Sequence, residues 1–556
     1  MKTNEHIYPR LEDWPINLYY IQRKEHNVSI LQEINQEYHE LAENELDQTI
    51  AKAIYAERLR VKNNAWKADP PNQSLFFKKL QKEYNDNQKS DIKHQKNVET
   101  SARLVKRYLE EIAGNFNPNT FLLARKLCNL IFYTLLSKAN IFTWFKQRKM
   151  LAANEKNIHV FGPIDQIKSY FGKHTVVLLP THSSNLDSML IGFSIDIKTG
   201  MPAFSYGAGL NLFDSEFFAF FMNRLGAYRV DRRKKNSIYL KALTTFSKHT
   251  IKFGLNTIFF PGGTRSRSGE VETKLKMGLL GSLIQAQREL LAEGSEQKVI
   301  VVPVVLNYES VLEAKSLMLQ HLKSAGQEKF TAREKAPGFL SYISYFRKVW
   351  KNENKIYITF GQPSDVFGNA VDANVRSINQ IHKQVDLKDY FFSNGQLVKD
   401  DQRESIYTKE LSNYVVDQYK LNNYLLPSHI LAYSVFRILA KQNHGQDVFA
   451  LVQIPEEEEF FQIRHVKMAI QNVLDVLEIK HKEGKLIYFE QLKLTPDQII
   501  EKGLQSLGVY HLERPLVKLD DNLLVSKDFV LLAYYANKLN NLEVDLSLPL
   551  NHIHLD

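Results

Sequence analysis

One cysteine, Cys128, in 556 residues leaves no partner for an intramolecular disulfide and excludes zinc cages built from several cysteines. A reducing compartment is the simple inference. No run of eighteen or more consecutive apolar residues occurs, so no helix is expected to span a bilayer. The longest charge-free windows, Thr199–Phe213 and Leu421–Phe436, carry Asn, Ser, His or Pro and read as buried protein. The start, MKTNEHIYPRLEDWP, lacks the basic-then-apolar pattern of a secretory signal. Internal repeats and strongly biased tracts are missing, as is the G-x4-G-K-[ST] spacing of a Walker loop, so ATP chemistry has no support. Ligands for a metal or redox cofactor are not evident. What is present is the balance of a globular chain, 24% charged and 44% hydrophobic, long enough for roughly two to four cooperating domains. Lys and Arg total 72 against 62 Asp and Glu, a formal +10. That surplus suits phosphorylated metabolites, acidic carrier proteins or anionic lipid headgroups. Without a dense basic stripe or a recognised motif it does not argue for nucleic acid.

Residues 1–155 are charge-rich and helix-patterned, broken at Pro70-Pro71, at the polar stretch Asn85–Lys96 and at Asn117-Pro118. The last helix there, about Thr120–Leu136, carries Leu123, Leu127, Leu130 and Ile131, a stripe expected to pack on a neighbouring domain. From 156 to 365 short apolar runs (Val176–Leu179, Asn256–Phe260, Val299–Leu306, Ile356–Phe360) alternate with amphipathic stretches such as Ser237–Phe253 and Met277–Glu293. The alternation predicts an α/β domain whose central sheet is mostly covered on both faces. In 366–556 strand signals fade and helical patterns dominate through Leu411–Tyr419, Ser428–Ala440 and Phe529–Leu539. The acidic run Glu456–Glu459 reads as a solvated loop or helix start.

Four segments stand out. Pro180–Asp187 follows the strand VVLL and enters a helix, so His182 sits at a strand end and Asp187 in the first helical turn. A carboxylate there can hold one imidazole nitrogen and leave the other as a general base. With 17 histidines in the chain, about one H-x4-D is expected by chance, so this pair needs company. Gly226–Arg233 joins a short strand to a basic corner that Lys234 and Lys235 extend. Phe259–Gly269 follows another strand with paired glycines, hydroxyls and two arginines, whose planar forks suit a phosphate. Val301–Glu309 is an apolar strand broken by Pro303 and ending in polar residues.

Read in order, HSSNLD, GAYRVDR, FPGGTRSRSG and VPVVLNYE resemble the four sequence blocks of the glycerolipid acyltransferases, which acylate glycerol 3-phosphate and its lyso product. Arg265–Gly269, Lys276-Met277-Gly278, Pro303 with Tyr308–Val311, and the tail Leu532–Asn537 resemble the glycerol-3-phosphate branch. The resemblance covers about 175–365, with thinner similarity beyond. It implies that His182 deprotonates a hydroxyl that attacks an acyl thioester, with Asp187 orienting it. It also implies that Arg232, Gly263, Thr264, Arg265, Ser266, Arg267 and Lys276 hold the glycerol phosphate. No metal or redox cofactor is implied; acyl-CoA or acyl carrier protein is the co-substrate. Two departures stand out: Gly262 occupies the place of a glutamate usual in the third block, and Asn541 stands where the branch's tail often has histidine.

The developing oxyanion would meet backbone donors at Ser183-Ser184 or in the Gly262-Gly263 turn. The aromatic segment Leu210–Met222, with Phe213, Phe217, Phe218, Phe220 and Phe221, is expected to line an acyl tunnel, dip into a membrane interface or form a buried helix. The expected function is acylation of the sn-1 hydroxyl of glycerol 3-phosphate at the cytoplasmic face of the membrane, with the protein peripherally attached to an anionic surface. Dihydroxyacetone phosphate and lysophosphatidate are alternative acceptors. A non-catalytic lipid- or carrier-binding scaffold is the alternative of another class.

Overall fold

The computed structural model describes residues 5–138, 143, 146–213, 216–324, 353–393, 395–455, 459–511 and 513–542. Glu456, Glu457 and Glu458 of the acidic run lie outside them, as do the side chains of Phe217 and Phe218.

Four long helices open the chain: α1 (Arg23–Glu40), α2 (Glu43–Asn63), α3 (Gln73–Asn87) and α4 (Lys93–Ile112). Each buries a stripe at helical spacing, such as Ile30, Ile34 and Tyr38 on α1 or Leu46, Ile50 and Ile54 on α2. Their common core takes in Tyr239, Ala242 and Phe246 of a helix far along the chain, so the bundle is mortised into the α/β domain. Helix α5 (Pro118–Leu136) starts where Asn117 accepts the Thr120 N–H at 2.9 Å and Pro118 takes the first position, which needs no N–H.

The centre is a seven-stranded sheet of β1 (Ile158–Phe161), β2 (Thr175–Pro180), β3 (Ser205–Gly209), β4 (Ala227–Val230), β5 (Thr257–Ile258), β6 (Val299–Tyr308) and β7 (Ile356–Phe360), in the order β1-β7-β6-β2-β5-β3-β4. Strands β6, β2, β5, β3 and β4 run parallel; β7 is antiparallel to β6 and parallel to β1. The helices interleaved with them are α6 (Asp187–Ser194), α7 (Glu216–Met222), α8 (Ser237–Lys252), α9 (Met277–Ala292) and α10 (Ala314–Ser324). After the sheet come α11 (Asp401–Leu421), α12 (Pro427–Gln442), α13 (Ile463–Lys482), α14 (Pro496–Ser506) and α15 (Phe529–Ala536), which runs into a tight turn, Asn537–Leu542. Short strands also occur there, among them Phe460–Gln462, Leu516–Lys518 and Leu523–Ser526, too brief to stand out as sequence patterns.

Alternation along the central strands explains their uninterrupted apolar character. Val176 and Leu178 share a core with Ile430 and Leu431 of α12 and Leu532 of α15. Val177 and Leu179 face Leu283 and Ile284 of α9 and Leu411 and Val415 of α11. Both faces are covered, so apolar residues dominate at both parities, and the buried Asn307 of β6 is hydrogen-bonded to Asn423. Pro303 survives inside β6 because its carbonyl accepts from Gly361 just past the end of β7, the side on which its missing N–H would also point.

Just past the end of β6, the half-buried Glu309 accepts the Lys355 N–H at 2.8 Å. Burial pushes its carboxyl up from 4.5 to about 7. A folded-state value above the unfolded one means this site's stability is complete below about pH 4.5 and is lost as pH rises through about 7. Urea unfolding at pH 5 and pH 8 should show Glu309→Gln relieved of this loss, by on the order of 3 kcal/mol. An identical pH response in the variant and the wild type would contradict the assignment.

Candidate active site

Three parallel strands deliver the candidate residues at their carboxyl ends, where an α/β sheet leaves a crevice. Strand β2 ends in the turn that carries His182, β5 ends in the arginine loop, and β4 ends in the basic corner. His182 Nδ1 lies 2.7 Å from Asp187 Oδ2. Asp187 is completely buried at the start of α6. The same Oδ2 accepts the Ser183 and Ser184 amides at 2.6 and 2.8 Å, and Oδ1 accepts the Tyr308 hydroxyl from β6. An ionised carboxylate only accepts, so the imidazole proton sits on Nδ1 and Nε2 is left for the cavity that His182 lines. The ring packs on Phe260, with centroids 4.3 Å apart. Burial, with Asp187 adding to it, drives the Tyr308 hydroxyl far above its ordinary range, so it remains a donor.

The arginine loop is tied to the histidine turn. Ser266 N–H donates to the His182 carbonyl at 2.7 Å, while the Ser266 hydroxyl turns to the Glu270 carbonyl at 2.7 Å. Glu313, just before α10, accepts Ser184 Oγ and Asn185 N–H, each at 2.9 Å, and lies 3.6 Å from Arg265 Nη1. One carboxylate thus relates the first block to the third. From the far end of the chain Asn537 donates to the Ser268 carbonyl at 2.8 Å, Asn540 to Glu270 at 3.0 Å and Asn541 to the Val271 carbonyl at 2.5 Å. Gly269 has φ +87° and its α-carbon abuts the Tyr534 carbonyl, so a side chain there is excluded twice. The C-terminal turn clasps the arginine loop.

The basic corner divides by neighbour. Arg233 is held by Asp231 at 2.8 Å and by Asp69 from the N-terminal bundle, and stacks over Trp66 at 4.0 Å. Lys234 is buried on Glu111 of α4. Arg232 and Lys235 instead line the cavity with no carboxylate within ion-pair distance among the described residues. The same holds for Arg267 and Lys276. Partial desolvation at the cavity wall lowers Arg232 below its ordinary value although the residue as a whole remains exposed. A set of cations short of anions around one space is a site for an anion.

That space measures about 630 Å³ and is bounded by His182, Arg232, Gly263, Thr264, Arg265, Arg267 and Lys276 among others. Of the residues singled out in the sequence, Ser266 faces the rear of the loop and Asp187 sits behind the histidine. Beyond Ser188, Tyr206 and Phe260, which border both spaces, lies an apolar pocket. Leu127 and Ile131 of α5 and Met189, Gly192 and Phe193 of α6 line it, with Phe221 and Met222 of α7. The α5 stripe expected to fill a core therefore does something different: Leu127 and Ile131 line this void, and Leu123 is 46% exposed. Phe213 is buried, Phe220 exposed and Phe221 in the pocket wall.

Sequence reasoning passed over Glu313, Glu272 and the Tyr308 bond to Asp187, because each arrives from a distant part of the chain. The signal for a substitute carboxylate was the departure at Gly262 itself. Of the two expected oxyanion donors, the Ser183 and Ser184 amides are taken by Asp187 and Gly263 N–H by the Phe260 carbonyl at 3.0 Å, which leaves the Gly262 amide.

The acyltransferase family matches residues 149–307. The glycerol-3-phosphate acyltransferase of Baumannia cicadellinicola subsp. Homalodisca coagulata is 26% identical over 257 residues, which cover 46% of this chain and 27% of that protein. The match thus spans about a quarter of the length of that relative. The crystal structure of the 1-acyl-sn-glycerophosphate acyltransferase PlsC from Thermotoga maritima aligns over 68% of this chain and 98% of that one, with TM-score 0.25 and 11% identity. The histidine–carboxylate turn lies inside the matched segment, so this α/β domain is an acyltransferase domain, similar to that of a glycerol-3-phosphate acyltransferase.

Proposed function

We propose that the protein moves a fatty acyl group from an acyl-CoA or acyl-carrier thioester to the sn-1 hydroxyl of glycerol 3-phosphate. The observation that carries this reading is one of adjacency. Nε2 of a carboxylate-held histidine opens on a space with unpaired cations on one side and an apolar pocket on the other. Arg232, Arg265, Arg267 and Lys276 take the phosphate, with Gly263 and Thr264 at the turn, and this places the hydroxyl at His182. Nε2 removes the hydroxyl proton as the oxygen attacks the thioester carbonyl. The tetrahedral intermediate collapses with loss of the thiolate, which takes the proton back from the imidazolium. Asp187 holds the tautomer and stabilises the imidazolium. Restraint of acceptor and base in one geometry supplies much of the acceleration.

The acyl chain lies in the apolar pocket. Ser188, Gly192 and Ile195 recur on one side of α6 and the turn that continues it, so the pocket follows the helix away from His182. No helix among the described residues is long and apolar enough to cross a membrane. Two of the helices at the pocket wall, α5 and α7, present Leu122, Leu123 and Phe220 to the outside, which supports peripheral attachment to a membrane, and the cytoplasmic face is the one proposed. Anionic vesicles should capture the protein in a salt-sensitive manner, and indifference to vesicles at every salt concentration would remove this part.

Thiol release from palmitoyl-CoA should require glycerol 3-phosphate, exceed that with dihydroxyacetone phosphate or lysophosphatidate, and fall by about 10²–10⁴ in His182→Ala. Release that survives the substitution would exclude His182 as the base. Preference for lysophosphatidate would move the acceptor assignment. For the pocket, Gly192 lines the wall and a Cβ there meets nothing within 4 Å, so Gly192→Leu is the substitution that would narrow it. Its palmitoyl transfer should drop at least about tenfold while octanoyl transfer stays within about threefold. Equal losses on both donors would place the chain elsewhere.

A further inference from the structure

Gly262 has an unremarkable backbone, outside the left-handed region that demands glycine, so what keeps it bare is space. A Cβ built there would stand 2.5 Å from Glu272 Oε1 and 2.7 Å from its Cδ. The carboxyl group of Glu272 therefore fills the place that a side chain at 262 would enter. From that place Oε1 accepts the His182 N–H at 3.3 Å. With Ser266 N–H on the His182 carbonyl, both backbone polar groups of the histidine are held by the arginine loop and its continuation.

The surroundings are those of an enclosed polar site. Glu272 Oε2 is buried without a hydrogen-bond partner among the described residues. A small cavity behind the histidine turn is bordered by Glu272, Thr181, Asn307 and Lys538. Lys538 comes from the C-terminal turn whose asparagines clasp the loop on either side of Glu272. It is 4% exposed and has no ion pair within 4 Å among the described residues. Burial raises Glu272 to about 8 and lowers Lys538 to about 8. The other groups that feel or set this field are His182, Asp187, the buried imidazole of His429 and the buried hydroxyl of Tyr419.

Resting on the acyltransferase reading above, we infer that Glu272 is a positioning residue: it supplies from later in the chain the oxygen acceptor that a residue at 262 cannot, and so sets His182 against Arg265 and Arg267. Its action is on the histidine backbone, not on the substrate. Space filling alone would make a leucine of similar size equivalent, whereas an acceptor requirement makes glutamine equivalent and leucine not. It also makes the group movable, because the three atoms nearest a Cβ at 262 all belong to Glu272 and go when it is cut back.

The test is glycerol 3-phosphate-dependent thiol release by the full chain and four variants whose folding is followed by thermal unfolding. Glu272→Gln should stay within about threefold of wild-type kcat, and Glu272→Leu and Glu272→Gly should each lose at least about tenfold. Gly262→Glu combined with Glu272→Gly should regain at least about tenfold over Glu272→Gly alone. Equal activity of the Leu and Gln variants, or no gain from the relocated glutamate in a folded chain, overturns the proposal. A silent wild type overturns the acyltransferase reading instead. The positioning role then rests on diethyl pyrocarbonate modification of His182, read by mass spectrometry across pH. The Gln variant should match the wild-type profile and the Leu variant depart from it; coincident profiles in all chains overturn the proposal.

Discussion

A fully buried carboxylate must be neutralised by donors or it will not stay charged, and the architecture around Asp187 follows from that requirement. Four donors meet it: the His182 imidazole, two successive backbone amides and the Tyr308 hydroxyl. The amides fix the turn, which places His182. The tyrosine comes from β6, whose first six residues pair with the whole of β2, so the depth of Asp187 is set by the sheet register. The turn and the helix behind it can have only one relation to the sheet if all four bonds are to form. The imidazole is thereby oriented before any substrate arrives.

The arginine loop has no regular structure of its own and depends on parts of the chain that contribute nothing else to the crevice. Glu313 and the Ser266 amide relate it to the histidine turn. Three asparagines of the C-terminal turn hold its far side. On the opposite wall Asp69 and Glu111 of the N-terminal bundle hold Arg233 and Lys234 and leave their neighbours Arg232 and Lys235 for the cavity. A buried ion pair contributes little net stability after desolvation. Here its geometrical effect is the informative one, because it decides which cations of a basic run face the space. The helical ends of the chain act as the frame within which an exposed loop keeps a fixed shape.

The apolar pocket illustrates a different balance. Core packing tends to fill voids, since each unfilled volume forfeits contacts. Between α5 and α6 the chain keeps a void lined by Leu127, Ile131 and Gly192. The glycine preserves the opening, as any side chain there would project into it. The aliphatic residues have the composition of core and the exposure of a lining. A sequence pattern records only which face of a helix is apolar, so the two uses look alike until a second helix is placed opposite.

Much of the sheet was legible from residues alone. VVLL, the run around Thr257, VIVVPVV and Ile356–Phe360 are β2, β5, β6 and β7, because strands covered on both faces are apolar at most positions of either parity. Strand β3, Ser205–Gly209, was not, since its small residues carry no hydrophobic pattern and its pairing partners decide it. The histidine and its carboxylate were legible because their contact is local, five positions within one turn. Glu272, Glu313, Lys538 and the asparagine clasp were not, because each reaches the site across a chain reversal that no local spacing encodes. The amino-acid sequence by itself determined the apolar central strands, the main amphipathic helices and the chemistry of the crevice, all set by nearest-neighbour periodicity and residue type. Only the tertiary structure decided which carboxylate stands behind Gly262, which cations stay unpaired and which apolar stripe borders a void, because those depend on what distant segments bring to the same few ångströms.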